Sequence, residues 1–247
     1  MDELSGRTAL ITGAGQNIGA ETARVLAARG AHVAVNDLFA DRAQTVVDEI
    51  RSAGGSAEVV LCDVTDLAAV VESFARVERI DILINNAGIP LTGFNMVNFH
   101  EDDPSVWKSF VDLNVYGPMN CTHTVLPGMI KRGWGRIVTI SSESARVGDR
   151  KLAAYAASKG AGPALMRSIA QEVGRYGITC NSLSPATQSN AGFDENSDMT
   201  LRQLKAYQIP RLGKGSDLAA AIAWLTSEGG SWVTGQTIPI NGGYATS

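Results

Sequence analysis

The stretch Ala9-Leu10-Ile11-Thr12-Gly13-Ala14-Gly15-Gln16-Asn17-Ile18-Gly19 decides how the rest of the chain reads. A short apolar run, Ala9–Ile11, leads into a glycine-rich turn at Thr12–Gly19, and a stretch of helical character, Ile18–Arg29, follows at once. Glycines in a strand-to-helix turn let the backbone come close to a pyrophosphate. The helix N-terminus adds free N–H groups and a favourable dipole. The turn does not close on Gly-Lys-Ser/Thr, which disfavours an NTPase. The same rhythm continues downstream. Apolar runs at Val33–Val35, Val59–Leu61, Ile82–Ile84, Ile137–Ile140 and Ile178–Leu183 alternate with helical stretches at Asp41–Ala53, Asp66–Arg79, Ser105–Arg132 and Ala153–Tyr176. That alternation predicts an α/β fold, a mainly parallel sheet with helices on both faces. No break rich in proline, serine or charge interrupts it, so residues 1–247 read as one domain.

Composition narrows the function. The 247 residues are 45% hydrophobic and 19% charged with a net charge of −4, which argues against a nucleic-acid or anionic-membrane binder. The start, Met1-Asp2-Glu3-Leu4-Ser5, lacks the basic and apolar regions of a signal peptide, and no apolar run approaches the length of a membrane span. Cys62, Cys121 and Cys180 are odd in number, widely spaced and set in apolar contexts. They read as buried small hydrophobes in a reducing, cytoplasmic setting, and with His100 and His123 they show no metal-ligand spacing.

Two acidic residues extend the first motif. Asp37 ends the second run, 18 residues beyond Gly19, where it can accept hydrogen bonds from adenosine ribose hydroxyls and repel a 2′-phosphate. No Arg or Lys occupies the turn itself, so NAD is expected over NADP. Asp63, after the third run, either reaches the adenine ring or caps the next helix. Two segments break the rhythm, Ile89–Asp103 and Ala186–Arg211, and both follow predicted strands. Ligands of open α/β sheets bind at that edge, which makes the segments candidates for substrate walls. The second is read as a lid, because Phe193, Met199, Leu201, Leu204, Tyr207 and Ile209 are too apolar for a purely solvated excursion.

Chemistry enters with Tyr155-Ala156-Ala157-Ser158-Lys159, inside the last long helical stretch. Four residues apart, Tyr155 and Lys159 share a helix face. An ammonium beside a phenol stabilises the phenolate, so the tyrosine can exchange a proton nearer neutral pH than an ordinary one of pKa about 10. Ser142 lies thirteen residues before Tyr155, at the end of an apolar run.

These motifs together resemble the short-chain dehydrogenase/reductase family, of the compact type with a doubly wound, Rossmann-like fold. The resemblance covers nearly the whole chain. It rests on Thr12–Gly19, Asn85-Asn86-Ala87-Gly88, Asn114, Ser142, Tyr155 with Lys159, Asn181, Pro185, Thr234-Gly235-Gln236 and Asn241-Gly242-Gly243. It implies that Tyr155 is the acid/base, that Lys159 lowers its pKa and holds the nicotinamide ribose, and that Ser142 positions the substrate oxygen. It implies further that Asn114 holds a water linking Lys159 to solvent. Gly13, Gln16, Asn17, Ile18, Gly19, Asp37, Asp63, Val64, Asn86, Ala87, Gly88, Pro185 and Gln188 would surround the NAD. Hydride would pass to or from a secondary alcohol or ketone with no metal. The family commonly forms tetramers, here through Ser105–Arg132, Ala153–Tyr176 and the C-terminal strand, so a homotetramer is expected.

Three departures stand out. Asn17 replaces a usual glycine, and asparagine tolerates a left-handed backbone better than other residues. Pro185-Ala186 replaces Pro-Gly, with Gln188 and Asn190 following. Gly88 to Asn114 spans 26 residues, a few more than usual, within Pro90–Asp103. Leu91, Phe94, Asn95, Met96, Glu143, Ser144, Arg146 and Gln188 are the pocket candidates. Arg146, Arg150 and Lys151 either form a solvated cluster or meet an acidic carrier protein or a coenzyme A phosphate. The leading expectation is an NAD-linked secondary-alcohol dehydrogenase. Its rivals are a 3-oxoacyl-thioester reductase and an NAD-binding sensor without turnover.

Overall fold

Neighbouring residues on each central strand point to opposite apolar layers, and helices cover both. The computed structural model describes residues 3–189 and 197–246. Seven strands, β1 (Thr8–Ile11), β2 (His32–Asp37), β3 (Ser56–Leu61), β4 (Ile82–Asn85), β5 (Gly135–Ile140), β6 (Ile178–Pro185) and β7 (Thr237–Ile240), form one parallel sheet in the order β3-β2-β1-β4-β5-β6-β7. Ile11, Ile82, Ile84, Val138 and Ile140 pack on one side with Leu26 of α1 (Asn17–Ala28), Val47 of α2 (Ala40–Ser52) and Ile222 of a late helix, Gly215–Thr226. Leu10, Leu83 and Ile137 pack on the other with Phe74 of α3 (Leu67–Phe74) and with Met129 and Met166 of two longer helices, Gly117–Arg132 and Ala153–Val173. The period of two in the strands thus becomes two cores, and each fully buried Leu or Ile contributes about 1.5–3 kcal/mol.

The chain winds outward through β1, β2 and β3, then crosses through α3 to place β4 on the other side of β1. Strand order reverses there, and a crevice opens beyond the carboxyl ends of β1 and β4. The foot of β4 is anchored by Asp81, which is fully buried, accepts from Thr8 N and pairs with Arg79 and Arg132.

The predicted helix at Asp66–Arg79 stops at Phe74, with Ala75 as its C-cap. The predicted helix at Ser105–Arg132 is divided into a 3-10 turn at Pro104–Val106, α4 (Trp107–Val111), a wide π-type turn at Asp112–Tyr116, and α5 (Gly117–Arg132). Three helices were not predicted: α6 (Glu143–Val147), α8 (Asp198–Leu204) and α9 (Gly215–Thr226); α7 is Ala153–Val173. α8 lies within the segment read as a lid, whereas Asn190 and Phe193 lie outside the described residues. Among the described residues no helix is long and apolar enough to cross a membrane.

Candidate active site

The crevice is a cleft of about 1800 Å³, reaching from the glycine-rich turn to Tyr155 and Tyr244. At the turn, Asn17 adopts φ +49°, the left-handed backbone expected of it in place of glycine. Gly15 N–H donates to Asp37 Oδ2 at 2.9 Å, and a Cβ on Gly15 would approach that oxygen to 2.7 Å. Only glycine lets the turn and the carboxylate meet. Asn86 Nδ2 donates to the carbonyls of Thr12 and Gly13 at 2.8 and 3.0 Å, which ties the end of β4 to the turn.

Gly13, Gln16, Asn17, Ile18, Asp37, Asp63, Val64, Asn86, Ala87, Gly88, Pro185 and Gln188 all line the cleft. Gly19 does not; it packs behind the turn, where a Cβ would sit 2.5 Å from Gly13 O. Asp63 does not cap α3. Its Oδ1 accepts from Thr65 N and Oγ1, while Asp66 accepts from Ala68 N and Ala69 N at the helix start. Arg42, from α2, also lines this end and lies 4.3 Å over the Phe39 ring. The sequence reading looked for a cation in the turn and missed one that α2 brings from five residues beyond Asp37. The bare glycine backbone, the carboxylate at the end of β2 and the length of the cleft fit a dinucleotide.

At the other end, α7 presents Tyr155 and Lys159, and the end of β5 presents Ser142. Lys159 is buried, its Nζ donates to Ile140 O at 2.9 Å, and burial lowers its pKa to about 8. Burial pushes the Tyr155 phenol upward; a hydrogen bond with Ser142 opposes this, and the charge of Asp149 adds to it. The sequence predicted a phenol lowered by Lys159. In the structure desolvation sets the direction instead; the ammonium turns to Ile140 O and stands 6.0 Å from the centre of the Tyr155 ring. Phe94 meets that ring edge-on at 5.0 Å and Phe110 at 6.0 Å, which fixes its plane.

Asn114 sits in the π-type turn behind the cleft wall. Its Nδ2 donates to Ser158 Oγ at 3.1 Å, and its buried Oδ1 has no hydrogen-bond partner among the described residues. Gly88 closes this corner, since a Cβ there would overlap Lys159 Nζ and come within 2.8 Å of Asn114 Oδ1.

The substrate side differs from the sequence reading at two candidates, Arg146 and Asn95; Asn95 does not line the cleft and donates to Asp102 instead. Arg146 is not free at the mouth. It donates to both carboxylate oxygens of buried Glu143, at 2.9 and 3.0 Å, and to Ala245 O. Burial works to raise Glu143, yet hydrogen bonds from Arg146 and Asn241 hold it below the usual carboxylate range. Arg150 and Lys151 do line the cleft, Lys151 with φ +67°. Phe94, Met96, Ser144 and Gln188 line it as expected. Tyr207, named in the predicted lid, lines the wall, whereas Asp149 and Tyr244 were missed; only the adjoining Asn241-Gly242-Gly243 motif pointed towards Tyr244.

A family model described as short chain dehydrogenase matches residues 7–200. The 7alpha-hydroxysteroid dehydrogenase of Escherichia coli K12 is 36% identical over 247 residues, covering 97% of this chain and 94% of that protein. Among solved structures, a 3-oxoacyl-[acyl-carrier protein] reductase with bound NAD from Brucella melitensis superposes with a TM-score of 0.92 at 31% identity, over 99% of this chain and 94% of that one. A gluconate 5-dehydrogenase from Burkholderia cenocepacia in complex with NADP and tartrate gives 0.90 at 33% identity, over 98% and 96%.

Proposed function

This chain belongs to the short-chain dehydrogenase family, and from that premise we propose that it transfers a hydride between NAD(H) and a secondary alcohol or ketone. The observation that carries the proposal is the convergence of Tyr155, Ser142 and Lys159 at one end of a cleft whose other end presents Asp37 and the glycine turn. Nicotinamide, when bound, supplies the hydride acceptor or donor. Tyr155 gives its phenolic proton to a carbonyl oxygen or takes one from an alcohol. Ser142 Oγ holds that oxygen, and its hydrogen bond to the phenol lowers the barrier to proton loss. Lys159, neutral or charged within reach of pH 8, passes the proton onward past Asn114. Phe94 and Phe110 keep the phenol in plane and water away from it.

Asp37 supports NAD over NADP, because a carboxylate repels a 2′-phosphate, although the two structural relatives named above carry one cofactor each. The free thiols at Cys62, Cys121 and Cys180 support a cytoplasmic setting. A homotetramer through α5, α7 and β7 remains our reading of the assembly. Trp232 beside β7 is almost wholly exposed, as an unpaired contact residue would be.

The test is the initial rate of NADH formation on secondary alcohols, hydroxysteroids and 3-hydroxyacyl thioesters, with NAD and NADP in parallel. Tyr155→Phe is expected to abolish turnover, about 10³-fold or more, while NADH binding stays within a few-fold. Retained activity in that variant overturns the assignment of Tyr155. A rate confined to thioesters favours the thioester reductase, and tight NADH binding without any rate favours the sensor.

A further inference from the structure

We infer that Asp149 is a specificity-determining residue that accepts a hydrogen bond from a second hydroxyl group of the substrate. The inference rests on the hydride-transfer reading and names the substrate class for it: a secondary alcohol carrying another hydroxyl close to the reacting carbon.

Asp149 lies between α6 and α7 and lines the same cleft as Ser142 and Tyr155. Ser144 Oγ donates to its Oδ2, and Tyr244 Oη donates to its Oδ1 at 3.0 Å. A carboxylate offers about four lone-pair positions, so two stay open on a group already aimed by two hydroxyls. No cation pairs with it among the described residues, in contrast to Glu143 six residues earlier, which Arg146 grips with two hydrogen bonds. Both carboxylates line the cleft; the buried one, Glu143, is neutralised, and the more exposed one, Asp149, is not.

The support behind Asp149 is rigid. Tyr244 follows a turn in which Gly243 N donates to Asn241 Oδ1 at 2.9 Å, and Asn241 Nδ2 donates to Glu143 at 3.1 Å. The Tyr244 ring stands 5.4 Å from that of Tyr207, whose hydroxyl accepts from Thr187 N. Asp149 and Tyr155 line the same cleft, and the charge of Asp149 acts on the phenol. Hydroxyl donors satisfy such an acceptor, and a substrate carboxylate at the same place is repelled by it. A site built around a charged acceptor discriminates against the ligand that lacks the donor, because the acceptor is then left desolvated and unpaired.

The experiment compares kcat/KM with NAD for diol and mono-ol pairs of equal skeleton, cyclohexane-1,2-diol against cyclohexanol and butane-2,3-diol against butan-2-ol. The wild type is expected to favour the diol by about 10- to 100-fold, the range of one hydrogen bond to a charged acceptor. Asp149→Asn is expected to collapse that ratio to within about threefold of unity. The wild-type ratio needs no variant, so a folding defect in Asp149→Asn does not remove the test. A ratio near unity in the wild type, or a diol preference that survives in a folded Asp149→Asn protein, overturns the role of Asp149 while hydride transfer stands. If no alcohol is oxidised and no matching ketone reduced, the hydride-transfer reading fails and takes the inference with it.

Discussion

An ammonium buried under a main-chain carbonyl works against folding even where it serves a reaction. Burial brings Lys159 from the ordinary 10.5 to about 8. Below pH 8 both folded and unfolded chains carry the proton, and the native state bears the whole desolvation penalty, on the order of 3 kcal/mol by the usual conversion of pKa shift to free energy. Between pH 8 and 10.5 the unfolded state binds more protons, so stability rises with pH as the penalty disappears. Lys159→Met removes that dependence. Wild type is therefore expected to gain about 3 kcal/mol on the variant as pH is raised from 8 to 10.5, read as the difference in denaturant unfolding free energy. A difference that does not change with pH sinks the argument. Asn17 allows a second test. At φ +49°, Asn17→Gly is expected to leave thermal stability almost unchanged, whereas Asn17→Ala costs about 1–2 kcal/mol. Both residues were legible in the sequence because their signals are local, a turn position and a four-residue spacing. Asp149 and Tyr244 were not, because what makes them a site is a hydrogen bond across 95 residues.

Short elements owe their form to contacts that come from elsewhere. α6 has five residues, too few to hold as an isolated helix. Ser142 caps its start, accepting from Ser144 N, and the pair of Glu143 with Arg146 joins it to Asn241 and Ala245. Arg146→Met leaves Glu143 buried with Asn241 as its remaining side-chain donor among the hydrogen bonds just described, and breaking such a pair costs about 3–5 kcal/mol. In the wild type Glu143 is held below its unfolded value, so its contribution is present above that value and fades as pH falls through the folded one. The variant's deficit is thus expected to be largest at pH 7 and smaller at pH 3, as acid below the usual carboxylate range protonates Glu143. Melting curves of both proteins at the two pH values check this, and a deficit that widens in acid contradicts it. Periodicity reveals elements whose two faces differ, such as α2. It missed α9, whose Leu218-Ala219-Ala220-Ala221-Ile222 core is apolar nearly all round, and the π-type turn at Asn114, which leaves no mark in hydrophobic spacing.

The whole molecule is organised around a cleft that both halves of the sheet complete. The first three strands supply the glycine turn, Asp37 and Asp63, while the later strands and α7 supply Ser142, Tyr155 and Lys159. The alternation of strands and helices made this architecture readable from sequence, and with it the edge of the sheet where open α/β folds bind ligands; part of the cleft wall stayed hidden because it is assembled from remote loops. A ligand that spans the cleft binds only the folded chain, and stabilises it in proportion to the logarithm of its concentration over Kd. At a hundredfold excess over Kd this amounts to about 2.7 kcal/mol, roughly 5–10 °C in Tm for a chain of this length. On the proposed preference for NAD, NADH is expected to give that shift and NADPH at equal concentration a much smaller one, because the Asp37 carboxylate would repel a 2′-phosphate. Asp37→Ala should shrink the gap from both sides: NADH loses the ribose acceptor, and NADPH meets Arg42 without the opposing carboxylate. Equal shifts in the wild type, or a gap unchanged in Asp37→Ala, would mean that Asp37 serves the turn through Gly15 N and leaves the choice of cofactor to other groups.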